Sequence, residues 1–475
     1  LSPGDPLSPG WASEPGSKRL PLTEATTLMK IPVLPVSWAD AQPLLANLDG
    51  PVAPEAWRGA LPLTYHMGGA AVQVHLSVAM ENATRPLYNV IATIPGSESP
   101  DQWILFGNHH DAWVHGASDP LSGVSAQLET ARALAELTRK GWKPKRTVMV
   151  AFWDGEEYGL IGSTEYMEKH ADELSRKLVA YINSDSTGQG KLGIEGSHTL
   201  EAFLGEVARD VPDPDAGSGS GKSLLDSYRS RVNKVGARKT GSGEFHIGPL
   251  GSGSDYTPFL QHLGVASVNL SFGSEDGGVY HSAYDDFNWY MHFSDSTFVH
   301  GRALAQFTAT SVIRLADAPL LPFEFSRLDS TIAGYVSEIE KLMTPKSKVD
   351  LSSVRGELAR LQKTNSAFEA AWNRSVPRLS RRKQTEQLMA VNRILYGTER
   401  DLTLDPGLPG RPWFRHRIYA PGKYTGYAVK TLPGIREAVE LNQPAEAAEQ
   451  ARQVAQALHT LGDQLERATK ILGAL

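Results

Sequence analysis

Between residues 87 and 272 the hydrophobic positions switch repeatedly between two rhythms. Strand-like runs at 88–94, 102–107, 147–153, 178–184 and 265–272 alternate with helical patterns at 121–139, 163–176, 198–210 and 256–263. Strands alternating with helices of that length predict an α/β fold, a mostly parallel mixed sheet flanked by helices. Sites in such sheets form at the carboxyl ends of the strands. Thr147-Val148-Met149-Val150-Ala151-Phe152 is the clearest buried strand, and Gly155 breaks the run just before two adjacent carboxylates, Glu156 and Glu157.

The flanking regions have other patterns. Residues 1 to about 55 are rich in Pro, Gly and Ser, with a short helix predicted over 37–45. Residues 72–78 alternate with period two and predict a strand exposed on one face. Segment 213–254 is loop-like, with a flexible point at 216–221. A helical pattern at 295–315 precedes a boundary at Ala318-Pro319-Leu320-Leu321-Pro322. Beyond it, 327–343, 351–372, 380–399 and 444–473 carry apolar residues at helical spacing. A long loop rich in Pro and Gly, 402–434, interrupts them, and loops of that length in compact regions are more often functional than idle. There is no internal repeat. The pattern changes character at Leu87 and again at the 318–322 boundary.

Composition excludes several classes. The 475 residues are 41% hydrophobic and 21% charged, ordinary for a globular protein, with ample length for two or three domains. The formal net charge is −6; no basic stretch suggests nucleic acid, and no run is long and apolar enough to cross a bilayer. Cysteine is absent, which excludes thiol catalysis, disulfides and cysteine-ligated metal. Any transition metal must then be held by His, Asp and Glu, which suits zinc or manganese. The chain opens at Leu1 with no signal-like stretch and reads as a piece of a longer product.

Five metal-ligand side chains recur where predicted strands end. His109 closes the run 103–108, Asp119 lies ten residues on before a helix, Glu157 follows the 147–153 strand, Asp185 follows 181–184, and His281 follows the 265–272 strand. Each alone has an ordinary reading: a single His is usually a hydrogen-bonded residue, an Asp before a helix an N-cap, and Glu156-Glu157 a solvated acidic turn. Five at one end of one predicted sheet favour a shared metal site. Two imidazoles and three acids give each of two ions one His and one private carboxylate, with the third carboxylate bridging. Of the adjacent pair, one Glu can hold metal while the other faces a reacting water.

The motifs around these residues carry a resemblance. Gly107-Asn108-His109-His110-Asp111-Ala112-Trp113-Val114, Ser118-Asp119-Pro120-Leu121-Ser122-Gly123, residues 153–163 beginning Trp153-Asp154-Gly155-Glu156-Glu157, Tyr181-Ile182-Asn183-Ser184-Asp185-Ser186 and Tyr280-His281-Ser282 resemble those of the di-zinc aminopeptidase and carboxypeptidase family. The similarity is greatest to the branch of glutamate carboxypeptidase II and the transferrin-receptor-like proteins, and it extends over nearly the whole chain.

The resemblance implies that His109 and Asp185 hold one zinc and Glu157 and His281 the other, with Asp119 bridging. It implies Glu156 as general base, Asp111 behind the His109 ring, and a cis bond at Asp119-Pro120. Tyr280 would stabilise an oxyanion, although its residue-level reading is a packing aromatic. Gly253 and Ser254, in Gly251-Ser252-Gly253-Ser254-Asp255, match a substrate-binding motif in which the family has Asn at 254. Lys423 and Tyr424, in the long loop, match a pair that grips a terminal carboxylate; a lone loop lysine is otherwise normally solvated. Arginines of the family's acid-binding patch correspond to Gly193, Asn269 and Ser271. Glu165 and Glu168, with backbone oxygens near Ser8 and Trp11, match a structural calcium site, whereas two Glu at that spacing are more often an exposed face.

The expected protein is a zinc exopeptidase releasing a C-terminal residue, acidic residues among the candidates, from short peptides. Its segments would be an apical-domain remnant (1–84), a zinc peptidase domain (85–317) and a helical domain (318–475) that makes a homodimer, in an extracytoplasmic setting. The alternatives are an aminopeptidase of the same clan, and a transferrin-receptor-like scaffold without metals.

Overall fold

The computed structural model describes residues 2–70, 72–81, 83–217, 219–234, 245–273, 279–379 and 385–474. The chain divides into two compact units, residues 21–86 and residues 1–20 with 87–475. In the smaller unit, helix α1 (Trp38–Ala46) begins at Ser37, whose side chain accepts the Asp40 N–H as an N-cap. Residues 72–80 carry no strand, contrary to the alternating pattern. Alternation specifies a strand only where a neighbour offers a ladder and a core takes one face, and here Val74 is 65% exposed.

The larger unit is built on β1 (Val90–Ile94), β2 (Ser99–His109), β3 (Arg146–Trp153), β4 (Leu178–Asn183), β5 (Lys191–Gly196) and β6 (Ser267–Gly273). These form one sheet in the order β1-β3-β2-β4-β6-β5. The four inner strands are parallel, and β1 and β5 pair antiparallel at the edges. The inner strands read as continuous apolar runs because both faces are covered; Ile104, Phe106, Ala151, Tyr181 and Ile182 are at most 1% exposed. Register sets Ile104 against Val148 and Ala180, so β2, β3 and β4 reach their carboxyl ends together.

The flanking helices are α2 (Leu121–Arg139), α3 (Ile161–Lys169), α4 (Ala171–Lys177), α5 (Glu201–Asp210), α6 (Leu224–Lys234), α7 (Phe287–Phe293) and α8 (Val299–Asp317). The pattern at 163–176 is two helices rather than one, separated at His170. The pattern at 256–263 contains a π-turn, Pro258–His262. Segment 213–254 is not loop throughout, since α6 lies inside it. Its apolar Leu224 and Leu225 are buried in the common core, and that tertiary burial outweighs weak local helix propensity. Ser218 and residues 235–244 of that segment lie outside the described residues.

The C-terminal helices are α9 (Ser326–Leu342), α10 (Ser352–Leu379), α11 (Glu386–Gly397), α12 (Pro433–Glu440) and α13 (Pro444–Gly473). Residues 380–384 of the pattern at 380–399 lie outside the described residues. Loop 402–434 is ordered by a short ribbon, β7 (Tyr419–Pro421) with β8 (Val429–Thr431), and by the forked pair of Arg411 with Glu437 at 2.8 and 3.0 Å. The long pattern in α13 buries an Ala and Leu stripe, including Ala447, Ala451, Leu458, Leu461, Leu465 and Leu472.

Candidate metal centre

Parallel strands ending at one edge bring His109, from the last residue of β2, beside Asp185, two residues past β4. His109 Nε2 lies 3.2 Å from Asp185 Oδ1 and 3.3 Å from Asp119 Oδ1. On the other side, His281 Nε2 lies 3.1 Å from both Asp119 Oδ2 and Glu157 Oε2. The two oxygens of Asp119 therefore face different imidazoles. Glu156 Oε2 is 3.9 Å from His109 Nε2. All five ligand-type residues and Glu156 converge, although they span 172 positions of sequence from His109 to His281.

Backbone geometry holds this arrangement. Asp119-Pro120 is cis, and His281 sits at φ 55, a conformation L residues rarely adopt. Asp111 receives the N–H groups of Glu156 and Glu157 at 3.0 and 3.2 Å. It thereby orients the turn after β3. The Asp111 carboxylate is also 3.5 Å from His109 Nδ1, whose closer partner is the Asp111 carbonyl at 3.0 Å. Two residues not foreseen complete the frame. Asp285 accepts the N–H groups of Ser118 and Asp119 at 2.7 and 3.0 Å. Asn108 Nδ2 donates to the carbonyl of Asp185 at 2.7 Å.

The electrostatics are those of a site short of positive charge. Burial pushes Glu156 well above the usual carboxylate range, and Asp185, Asp255 and Glu157 push it further. Burial, then Asp119, moves Glu157 up to about 7. Asp119 is raised by burial and by Asp185. For His109 burial opposes the charge, yet Asp185, Asp111 and Asp119 together hold it protonated far above its ordinary value. Among the described residues, Glu157 Oε1 is buried with no hydrogen-bond partner, and Asp119 Oδ1 is buried with the His109 imidazole 3.3 Å away. Crowded carboxylates with an unsatisfied inward oxygen fit a bound divalent cation, which would supply both the missing charge and the missing partner. The described residues contain two overlapping metal-ligand groups, His109 with Glu156 and Asp185, and His109 with Asp119 and Glu157.

Around the centre, Tyr280 stacks on His281 with ring centroids 3.7 Å apart, and Trp113 packs against Tyr158 and His281. The Tyr280 hydroxyl is raised by burial and then by Asp119, Tyr427 and Asp185, which sets it close to the carboxylates. Ser254 is buried, accepts from Asn183 at 3.0 Å and hydrogen-bonds Asp185. Gly253 has φ +114, and a Cβ there would come within 3.0 Å of the Tyr427 ring.

Lys423 donates its N–H to Glu437, and its ammonium sits 5.4 Å over the Tyr424 ring, itself 73% exposed. From the same loop, the Tyr427 hydroxyl is raised by burial and then by Glu156, Glu157, Asp119 and Asp185. No periodicity in the loop singles out Tyr427, so the sequence held no signal for it.

Glu165 and Glu168 are drawn against the opening segment. Glu165 accepts the N–H groups of Asp5 at 2.7 Å and Ser13 at 2.5 Å. Glu168 takes the Trp413 indole N–H at 3.1 Å, keeps its other oxygen buried without a partner, and is raised by burial to about 7. The Ser8 carbonyl accepts the Trp11 N–H.

Residues 89–300 match the family described as Peptidase family M28, and residues 349–466 match the Transferrin receptor-like dimerisation domain. The sheet-bearing segment is an M28 peptidase domain. The two matches follow one another along the chain, the peptidase segment first and the dimerisation-domain segment after it. It is 36% identical over 454 residues to the probable glutamate carboxypeptidase LAMP1 of Arabidopsis thaliana, covering 92% of this chain and 61% of that protein. Identity is 32% to the probable glutamate carboxypeptidase VP8 of Zea mays, covering 92% and 60%. It is 31% to the aminopeptidase NAALADL1 of Rattus norvegicus, covering 96% and 64%. The chain thus spans about three fifths of the length of these curated relatives.

Proposed function

We propose that this chain is a di-zinc exopeptidase of the glutamate carboxypeptidase type, releasing a C-terminal residue from short peptides. The observation that carries this reading is the pair of Asp119 oxygens, one 3.3 Å from His109 and one 3.1 Å from His281. His109 and Asp185 would hold one zinc, Glu157 and His281 the other, and Asp119 would bridge. Zinc bound there would polarise a peptide carbonyl and make a water acidic enough to deprotonate near neutrality.

The chain's own groups do the proton work. Glu156 is buried beside the ligands and raised in pKa, a state suited to taking a proton from water and returning it to the leaving amine. Asp111 keeps Glu156 and Glu157 aimed by binding both their N–H groups. The Tyr280 hydroxyl, a phenol neutral at working pH and raised further beside the acids, can donate to a developing oxyanion. Lys423 and Tyr424 remain the residues proposed to read the terminal carboxylate.

Glu156→Gln should retain zinc, measured by elemental analysis, while turnover falls by about 10²–10⁴-fold. Normal turnover in that variant rejects this base. Peptides blocked at one end separate the rival reading, an aminopeptidase, which the similarity to NAALADL1 supports. Blocking the carboxyl end alone should stop cleavage; if only amine blocking does, the carboxypeptidase assignment is wrong.

Three further assignments accompany this one. The dimerisation-domain match supports a homodimer, to be read from the mass in solution. Glu165 and Glu168, with the Ser8 and Trp11 carbonyls, are proposed to hold one calcium ion. Calcium should raise the unfolding temperature of the wild type and leave Glu168→Gln unmoved; equal responses would remove the site. The segments 1–84, 85–317 and 318–475 are proposed as apical remnant, peptidase domain and helical domain. The family resemblance supports a place outside the cytoplasm, which cell fractionation tests; among the described residues no helix is long and apolar enough to cross a membrane.

A further inference from the structure

Two cavities lie side by side where α11 meets the amino-terminal end of β2, the end away from His109. One of about 400 Å³ lies between α11 and α13. The other, of about 630 Å³, lies between α11, the start of β2 and the end of α4. Arg393 and Arg400 line both. Among the described residues, Arg400 Nη1 is buried with no hydrogen-bond partner, its Nη2 reaches the Tyr396 carbonyl at 3.5 Å, and its guanidinium lies 5.9 Å over the Tyr396 ring.

A second guanidinium stands behind the wall of the larger cavity. Arg146 is fully buried, holds the lining residue Gln102 at 2.7 Å and donates from Nη1 to the Leu315 and Ala318 carbonyls, yet among the described residues its Nη2 has no partner. Among the described residues, none of Arg146, Arg393 and Arg400 makes an ion pair with a carboxylate. The acids that face the cavities do not neutralise them. Asp101 pairs with Lys177 at 3.1 Å and Glu98 approaches Lys145 at 4.0 Å. Asp401 is pushed by burial to about 7 against the pull of Arg400 and Arg467.

A guanidinium with no carboxylate partner keeps its planar fork available, and that fork matches the oxygens of phosphate. We propose that these paired cavities are a binding site for a phosphate monoester, its oxygens taken by Arg400 and Arg393 and its organic part by the larger cavity beside Tyr396 and Met389. Inorganic phosphate shares the recognised group but fills only a fraction of the volume. This site is separate from the metal centre and independent of the peptidase assignment.

The test is calorimetric titration and thermal unfolding of the full chain with glycerol 3-phosphate and with inorganic phosphate, against chloride at equal ionic strength. Glycerol 3-phosphate is expected to bind and stabilise, with affinity weakened about tenfold or more in Arg400→Gln and Arg393→Gln. Arg393 is exposed, so its variant should fold even if the Arg400 variant does not. Stabilisation by inorganic phosphate alone would overturn the monoester. No stabilisation beyond chloride, or binding unchanged in Arg393→Gln, would overturn the site.

Discussion

Asp285 shows how much of the centre is set by a side chain that touches no proposed metal. Its two oxygens accept successive N–H groups of Ser118 and Asp119, and its carbonyl accepts that of Ala117 at 3.1 Å. Those bonds fix the loop that aims Asp119 at both imidazoles. Asp285→Ala should lower kcat/KM by about 10–100-fold and weaken metal retention, the usual cost of losing an outer partner. Asp285→Asn, which keeps one acceptor, should fall between. Dialysis against a mild chelator followed by activity measurement checks both; full activity in Asp285→Ala would mean the loop is held by packing alone. In the sequence Asp285 is one of two adjacent acids after Tyr284, without periodicity or motif spacing, and nothing local distinguishes it from Asp286, which caps α7.

At the scale of elements, the π-turn at Pro258–His262 links the centre to the long loop. Gln261 donates to the carbonyls of Leu250 and Gly251 at 3.1 and 2.9 Å, bracing the Gly251–Asp255 turn. His262 Nδ1 bonds the Trp413 carbonyl at 2.8 Å. Burial, with Arg415 nearby, holds His262 down at about 4. Because the folded pKa lies below the unfolded value of about 6.5, neutral His262 contributes stability above that pH. The contribution is lost as pH falls from 6.5 through 4, with a slope of at most about 1.4 kcal/mol per pH unit. His262→Gln should flatten the denaturant-midpoint profile in that window and leave it unchanged above pH 7. An identical acid slope in both proteins would assign the loss to other groups.

Over the whole molecule, the larger unit joins the sheet and the C-terminal helices through buried polar contacts as well as apolar ones. Asn392 of α11 accepts the Leu321 N–H at 2.9 Å, and the Tyr396 hydroxyl donates to the Arg176 carbonyl at 2.6 Å. Arg411, 5% exposed, forks onto Glu437 and ties loop 402–434 to α12. Removing one partner leaves a buried charge, so Arg411→Ala should destabilise by about 3–5 kcal/mol. The double variant Arg411→Met with Glu437→Leu should recover most of it. Urea unfolding of the three proteins decides; a single-variant loss below about 1 kcal/mol would show that the pair is solvated.

Much of this architecture is legible along the chain because burial is written locally. The limits of α2 and α13, the inner parallel strands and the ligand residue types follow from periodicity and from side chains with few other uses at strand ends. What periodicity cannot encode is contact between distant segments. The strand expected at 72–78 lacks a ladder, the edge strand β5 goes unannounced, and α6 forms where a loop was expected. The division of Asp119 between His109 and His281 and the bracing by Asp285 were decided by packing. Chemistry at this site depends on distances near 3 Å between residues up to 162 positions apart, and only the folded sheet, whose strands end side by side, brings them that close.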